Sequence, residues 1–353
     1  MGLWVDEYRP QSLDKLELHP KITKKIKSLV TSGDVPHMMF YGPSGAGKKT
    51  RIRALLREIY GSGVEKLKFS NKIFKAGSSR KKVEIATLQS NYHIEMCPAD
   101  AGFSDTHVVS EVIKEIAQTH TLDPTSQKAY KVVVLNEVDR LSQQAQNALR
   151  RTMEKYMLTC RIIMCCESSC RVIEPLRSRC LGIRIPAPEK KAIVEVLNNV
   201  AKKAHFKLDN TMAYKVADAC DRNLRRAILM LEATKAQQYP FADDQKVNLC
   251  DWELYVQDIA KAITTQQSAQ RLLDIRGRFY EMLGNCIPAD VIIKTLTKKL
   301  LTTLDDDLKY EVIELAAHFE HRIKMGKKPI YHLEAFVAKF MSIYKAFVIR
   351  IYS

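Results

Sequence analysis

The sequence predicts an α/β domain, in which a parallel sheet carries helices on both faces, followed by two all-helical regions. Two observations lead to this prediction. Short apolar runs alternate with helical patterns through the first half of the 353 residues, and the strand patterns stop after the Pro-Ala-Pro at 186–188. Strands interleaved with helices favour parallel pairing, with both faces of the sheet covered. We expect domains at 1–187, 188–248 and 249–353.

The first predicted strand is HMMFY, residues 37–41, which leads into a glycine-rich loop. A helix follows over 49–60 and ends at Gly61, because glycine is favoured just beyond the end of a helix. The further predicted strands are 92–97, 131–138, 160–166 and 181–185, and the helices between them are 105–118 and about four turns from residue 143 onwards. A basic loop, KAGSSRKK at 75–82, interrupts this region.

The remaining residues show helical periodicity alone. Residues 189–239 predict about three helices, a bundle too small to fold by itself, and a third region begins at Asp251. Its clearest helices are 288–301 and 332–349. The last helix is apolar around much of its circumference, through Phe336, Val337, Phe340, Met341, Tyr344 and Phe347. Such a helix fits either an internal core position or a surface that packs against neighbouring subunits.

The charge of the chain is strongly basic. Its 56 Lys and Arg residues against 40 Asp and Glu leave a net charge of +16. This excess favours a polyanionic partner such as nucleic acid, because cationic side chains that neutralise phosphates release counterions. A solvated basic surface explains the same excess. No apolar run approaches the roughly 20 residues that cross a bilayer, so no membrane contact is expected.

The nine cysteines are scattered, and no two of them form a Cys-x-x-Cys pair. Cys166 and Cys170 have a spacing that zinc can use, but no second compact pair of Cys or His accompanies them. Cys165 and Cys166 lie within an apolar strand pattern, where cysteine acts as a small buried hydrophobic residue. The composition therefore disfavours zinc and predicts reduced thiols in a cytosolic or nuclear compartment.

The loop GPSGAGKKT, residues 42–50, nearly matches a phosphate-binding loop. Such a loop places backbone N–H groups, here those of residues 45–50, around the phosphates at a helix N-terminus, and its lysine reaches the β and γ phosphates. The motif requires Ser or Thr after Lys48, but Lys49 stands there and the hydroxyl follows at Thr50, which leaves Thr50 as the candidate magnesium ligand. The candidate nucleotide-binding residues of the loop are Gly42, Pro43, Ser44, Gly45, Ala46, Gly47, Lys48, Lys49 and Thr50.

The strand VVVLNEVD, residues 132–139, supplies the second half of the candidate site. In nucleotide hydrolases a strand of this kind ends in two acids, one for magnesium and one for the attacking water. Asn136 replaces the first acid, whereas Glu137 keeps the second. A neutral amide lacks the charge with which a carboxylate holds a hard cation. The sequence therefore predicts binding of ATP or ADP, with weak support for Mg²⁺ and for hydrolysis.

Five stretches in order resemble the small subunits of replication factor C, the AAA+ clamp loader of eukaryotes, across essentially the whole chain. They are WVDEYRP (4–10), GPSGAGKKT (42–50), LNEVDRL (135–141), QNALRRTMEKY (146–156) and EPLRSRC (174–180). The resemblance implies an AAA+ domain, a helical lid and an oligomerisation collar. It also implies a nuclear location and three partners, which are other replication factor C subunits, a sliding clamp and primer–template DNA.

The resemblance also implies roles for individual residues. Val5, Tyr8 and Arg9 match the positions near the adenine, and Arg225 matches a second sensor on the lid. Arg179 matches an arginine finger, which stabilises charge on the γ phosphate held by the adjacent subunit. From the residues alone, Arg179 and Arg225 also fit ordinary charged residues of the surface.

Two further points follow from the resemblance. The first-sensor position is usually Asn in these subunits, but it is Glu167 here, and a carboxylate near the γ phosphate disfavours hydrolysis. Lys114, Arg150 and Arg151 are candidate contacts to the DNA backbone, without base readout. The two arginines fit equally well as partners of Glu154 on their own helix.

Three functional hypotheses remain at this stage. The favoured one is a clamp-loader subunit that binds ATP, hydrolyses it weakly or not at all and lends Arg179 to a neighbour. The second is a self-sufficient AAA+ ATPase that remodels DNA, which would require a competent site of its own. The third is a non-enzymatic scaffold in which the phosphate loop no longer binds a nucleotide.

Overall fold

The computed structural model describes residues 2–33, 35–75, 82–118, 130–157, 159–242, 245, 247–326 and 328–352. The chain divides into two compact units, residues 1–247 and 248–353. The further division of the first unit at 187–188 stays a prediction. Among the described residues, no helix is both long enough and apolar enough to cross a membrane.

The first unit is built on one sheet, which contains seven strands in the part of the chain that the structure describes. The strands are β1 Met38–Tyr41, β2 Lys68–Lys75, β3 Lys82–Gln89, β4 His93–Met96, β5 Lys131–Asn136, β6 Cys160–Cys166 and β7 Leu181–Arg184. Their order across the sheet is β2-β3-β4-β5-β6-β1-β7. Strands β4, β5, β6, β1 and β7 pair in parallel, whereas β3 is antiparallel to both β2 and β4.

Helices cover both faces of this sheet, as the sequence predicts. The helices of the first unit are α1 Trp4–Glu7, α2 Pro20–Thr31, α3 Lys48–Tyr60, α4 Asp105–Gln118, α5 Gln143–Lys155, α6 Glu174–Arg177, α7 Lys190–Lys203, α8 Asn210–Ala219 and α9 Leu224–Gln237. Along β5, Val133 and Leu135 join the apolar cluster under α4 and α5, while Val132 and Val134 join the one under α2 and α3. This alternation follows from the two-residue period of a strand.

Strands β2 and β3, which the sequence did not predict, flank the basic loop predicted at 75–82 and correct it at its two end residues. Lys75 and Lys82 are paired strand residues, and 76–81 lie outside the described residues. Two large apolar side chains of β2 are exposed, Phe69 by 69% and Ile73 by 56%. Because they are exposed, and the polar residues 70–72 separate them, the segment lacks the apolar run by which a core strand is recognised.

The second unit is all-helical within the described residues. Its helices are α10 Asp251–Thr265, α11 Ala269–Gly284, α12 Ala289–Leu301, α13 Asp306–Met325 and α14 Pro329–Tyr352. They enclose one apolar core, to which α14 contributes the buried Phe336, Val337 and Phe340. The internal alternative for the last helix therefore holds for these residues, whereas Tyr344 and Phe347 further along are only partly buried.

Candidate nucleotide-binding site

The glycine-rich loop joins the end of strand β1 to a helix N-terminus. Strand β1 lies between β6 and β7, and α3 begins at Lys48, directly after the loop. A Cβ at Gly42 would lie 1.9 Å from the carbonyl oxygen of Ile185, so glycine alone fits against the chain that follows β7. Gly45 and Gly47 have φ angles of +72° and +87°, in the left-handed region that side chains other than glycine rarely adopt.

Lys48 lies folded over the loop that precedes it. Its ammonium donates hydrogen bonds to the carbonyl oxygens of Gly42, at 2.7 Å, and Pro43, at 2.9 Å. The side chain is 92% buried, since the residue is 8% exposed, yet it forms no ion pair with any residue that the structure describes. A buried ammonium held only by neutral carbonyls gains strongly from an anionic oxygen, because hydrogen bonds between two ions are the stronger kind.

The loop opens into a cavity of about 240 Å³. Most of the predicted nucleotide-binding residues line it, namely Val5, Tyr8, Arg9, Ser44, Gly45, Ala46, Gly47, Lys48, Lys49, Thr50 and Arg225. Glu137 and Glu167 lie on the same wall. Gly42, Pro43 and Asn136 do not line this cavity. The structure thus brings together, around one space, the N-terminal segment, the glycine loop, the ends of β5 and β6, and helices α7 and α9 of the predicted lid, residues 188–248.

The lid helices contact both the loop and the N-terminus. Asn223 caps α9 by accepting a hydrogen bond from the N–H of Arg226, and its carboxamide lies directly against Gly45. The ring of Trp4 stacks on that of Phe206, with centroids 5.2 Å apart. The short helix α1 is therefore tied to the lid, and α9 presents Arg225 to the cavity.

The amide that replaces the first acid of β5 is engaged by a neighbouring strand. Asn136 is buried, and its Nδ2 donates to Oε1 of Glu95 on β4 at 2.9 Å. The other oxygen of Glu95 accepts from Arg53 of α3 at 3.4 Å. Because the carboxylate can only accept, it fixes the orientation of the amide. The Oδ1 of Asn136 is then a buried acceptor without a donor among the residues that the structure describes.

A second cavity of about 610 Å³ adjoins this cluster. Asn136, Glu95 and Arg53 line it, together with Arg9, Lys49 and Arg225, which also line the first cavity. Burial, followed by the charge of Arg53, lowers the pKa of the Arg9 guanidinium. This boundary between the cavities is therefore rich in cations and suited to an anionic ligand.

Glu137, the remaining acid of the motif, has a φ of +55° at the end of β5. Its Oε2 lies 3.1 Å from Nη1 of Arg140, in an exposed ion pair. Glu137 lines the first cavity, and its carboxylate is paired with Arg140.

Arg179 does not line either cavity. Its Nε and Nη2 each lie 2.7 Å from Oε1 of Glu154, and Nη1 donates to the carbonyl oxygen of Pro175 at 2.8 Å. The side chain is 38% exposed, so these contacts hold a guanidinium at the surface in a fixed direction. Arg150 is only a distant partner of Glu154, at 3.8 Å. Lys114, Arg150 and Arg151 are all exposed.

Sequence reasoning missed three residues of this region. Arg51 lines the first cavity and is 2% exposed, and it ties α3 to the N-terminal segment by donating to Thr23 and to the carbonyl oxygen of Leu18. Glu95 had a signal, since an acid inside an apolar strand pattern requires a partner. Asn223 also had one, because Asn directly before a helical pattern predicts a cap.

Comparisons with known proteins match the chain in consecutive parts. A family model described as "DNA polymerase III, delta subunit" matches residues 18–189, one described as "RCF1/5-like, AAA+ ATPase lid domain" matches 195–236, and one described as "Replication factor C subunit 3, C-terminal domain" matches 252–348. The solved structure of the Thermotoga maritima RuvB Holliday junction branch migration motor covers 72% of this chain and 78% of its own, with a TM-score of 0.47 and 15% identity. That likeness is too distant to carry an argument.

Whole-chain relatives are much closer. Replication factor C subunit 3 of Mus musculus and that of Homo sapiens are each 53% identical to this chain over 348 residues, which cover 99% of this chain and 98% of theirs. Replication factor C subunit 5 of Oryza sativa subsp. japonica is 51% identical over 349 residues, which cover 98% of this chain and 99% of its own.

Proposed function

This chain belongs to the replication factor C family, and we propose that it is a nucleotide-binding subunit of a hetero-oligomeric clamp loader in the nucleus. In this proposal it assembles with other replication factor C subunits, and the assembly loads a sliding clamp onto primer–template DNA in replication and repair. Residues 1–187 form the AAA+ domain, 188–248 the lid and 249–353 the collar through which subunits associate.

The observation that carries the proposal is the cavity around Lys48. In the proposed complex, the ammonium exchanges its two carbonyl partners for oxygens of the β and γ phosphates. Backbone N–H groups of the loop and of the start of α3 hold the same phosphates. Val5 and Tyr8 pack against the adenine, and Arg225 reaches the phosphates from the lid.

Hydrolysis at this chain's own site is proposed to be weak or absent. Glu137 is the single acid of the strand motif that remains, and it is paired with Arg140. Glu167 places a second carboxylate on the wall of the cavity, where it repels the γ phosphate instead of orienting a water molecule through an amide. Members of AAA+ families usually employ Mg²⁺ with the nucleotide.

Arg179 is proposed to act on the nucleotide of an adjacent subunit. Glu154 and the carbonyl of Pro175 hold its guanidinium at the surface, which limits the rotamer entropy lost when it meets a phosphate. An arginine supplied in this way stabilises the charge that develops during phosphoryl transfer and makes hydrolysis depend on assembly. Lys114, Arg150 and Arg151 are proposed to contact the DNA backbone.

The test is ATP turnover by the complex reconstituted with the other subunits, stimulated by clamp and DNA. We expect Arg179→Ala to reduce turnover much more than Lys48→Ala, because the chain contributes mainly to a neighbour's site. Arg177→Ala, which removes an exposed arginine from the same segment, serves as the matched control. Complex formation, measured on the same samples by gel filtration, separates a loss of chemistry from a loss of assembly.

Two results would contradict the proposal. Equal turnover in the Arg179→Ala and Arg177→Ala complexes would contradict the assignment of Arg179 as an arginine finger. Turnover by the purified chain alone at the rate of the whole complex would instead support a self-sufficient AAA+ ATPase that remodels DNA.

A further inference from the structure

The side chains at the usual magnesium position do not match the ligands that Mg²⁺ prefers. This hard cation takes oxygen ligands, and nucleotide hydrolases supply them from the hydroxyl after the loop lysine and from the first acid of the strand. Here those two positions hold the ammonium of Lys49 and the neutral amide of Asn136. The nearest acid on the adjoining strand, Glu95, already accepts from Asn136 and Arg53.

The geometry of α3 places Lys49, and not Thr50, toward that position. Residues four apart lie on the same face of a helix, so Lys49 projects with Arg53, the residue that contacts Glu95. Lys49 lines both cavities, including the one that Asn136 borders, whereas Thr50 lines only the first. Because consecutive helical residues differ by about 100° in direction, the Thr50 hydroxyl does not replace the missing one.

The end of β6 lies within the influence of both lysine charges. Cys165 pairs in register with Asn136 across β5 and β6. Burial raises the pKa of the Cys165 thiol, and the charges of Lys48 and Lys49 act in the opposite direction. Both lysine charges therefore act at the edge of the sheet where a magnesium ion would otherwise lie. Within the described residues, Lys49 has no hydrogen-bond or ion-pair partner.

The total formal charge at this position is also the same with and without a magnesium ion. A hydroxyl, a carboxylate and Mg²⁺ sum to one positive charge, and so do Lys49 and the neutral Asn136 together. We infer that the ammonium of Lys49 takes the place of the magnesium ion, so that the site binds ADP or ATP without a divalent cation. This inference rests on the nucleotide binding proposed above, and it adds that Lys48 and Lys49 share the neutralisation of the phosphates.

The test measures the affinity of the purified full-length chain for a fluorescent ADP analogue, with Mg²⁺ and with excess EDTA. We expect the wild-type dissociation constant to change by less than about threefold between the two conditions. Lys49→Thr removes the ammonium and restores the hydroxyl, and it should weaken binding in EDTA by about tenfold or more, with partial recovery in Mg²⁺. Lys24→Thr, on the exposed face of α2, makes the same chemical change away from the site.

The outcomes separate the inference from the proposed function. A wild-type affinity that falls about tenfold in EDTA would overturn the inference and leave nucleotide binding intact. Equal affinities of wild type and Lys49→Thr in EDTA would overturn it as well. Absence of binding in both conditions would overturn the proposed function and the inference with it. Thermal unfolding followed by circular dichroism verifies that each variant is folded.

Discussion

The contact between Gly45 and Asn223 allows a direct test of how the lid is attached to the phosphate loop. A Cβ at residue 45 would lie 1.7 Å from Oδ1 of Asn223 and 2.3 Å from its Cγ, so Gly45→Ala must displace the carboxamide. That carboxamide caps α9 by accepting from the N–H of Arg226 at 3.1 Å. Gly47→Ala is the matched control, because no atom lies within 4 Å of a Cβ at that residue.

The expected cost can be divided into two parts. Both glycines have positive φ angles, and placing alanine there costs about 1 kcal/mol of unfolding free energy in either variant. Loss of the cap adds about 1 kcal/mol in Gly45→Ala alone. We therefore expect Gly45→Ala to cost about 2 kcal/mol and Gly47→Ala about half of that.

Urea unfolding followed by the fluorescence of Trp4 provides the measurement. The chain has two tryptophans, and Trp252→Phe removes the one that lies in the second unit. Trp4 stacks on Phe206 of the lid region, so its emission reports the unfolding of the first unit. If Gly45→Ala costs no more than Gly47→Ala, the carboxamide of Asn223 is not displaced. A shared cap should also make the double variant Gly45→Ala/Asn223→Ala about 1 kcal/mol more stable than the sum of the two single costs predicts, and additive costs would exclude such a cap.

Two further predictions concern buried polar groups of the first unit. Burial, with the charge of Arg161, lowers the pKa of His37 to about 4. The contribution of the neutral imidazole to stability is therefore complete above the unfolded pKa of 6.5 and is lost as the pH falls through about 4. His37→Asn should flatten the pH dependence of the unfolding free energy over that range, by up to about 3 kcal/mol, and an unchanged pH profile would contradict this. Asn136→Asp should lower the unfolding free energy near neutral pH by about 3 kcal/mol, because it places a second carboxylate beside Glu95. The double variant Asn136→Asp/Glu95→Gln should recover most of that loss, and a double variant without recovery would exclude like-charge repulsion as the cause.

The alternating pattern of the first region was sufficient to predict most of the fold. Strands at 37–41, 92–97 and 160–166 and a helix at 105–118 agree with β1, β4, β6 and α4 to within a residue or two. These elements bury one or both faces, and burial gives a sequence its periodicity. The β2–β3 hairpin was missed because Phe69 and Ile73 are exposed. Strand β2 is therefore held by its pairing with β3, and the sequence pattern does not display that pairing.

The candidate site was predictable where a motif fixes the local backbone. Gly42, Gly47 and Lys48 could be assigned because a phosphate loop requires these residue types at this spacing. The partners of Asn136 and Arg179 could not, because Glu95 lies 41 residues from Asn136 and Glu154 lies 25 residues from Arg179. Such pairs are decided by which strands and helices become neighbours, and not by spacing along the chain.

The first turns of α3 carry four cationic residues within six positions, and each side chain lies against a different part of the first unit. Lys48 contacts the glycine loop, Lys49 borders both cavities, Arg51 holds Thr23 and the carbonyl of Leu18, and Arg53 contacts Glu95. Because these four residues share one hydrogen-bonded helix, a displacement of its N-terminus on phosphate binding would also displace Arg51 and Arg53. The N-terminal segment and strand β4 would then respond to a bound phosphate, although neither carries a residue of the phosphate loop.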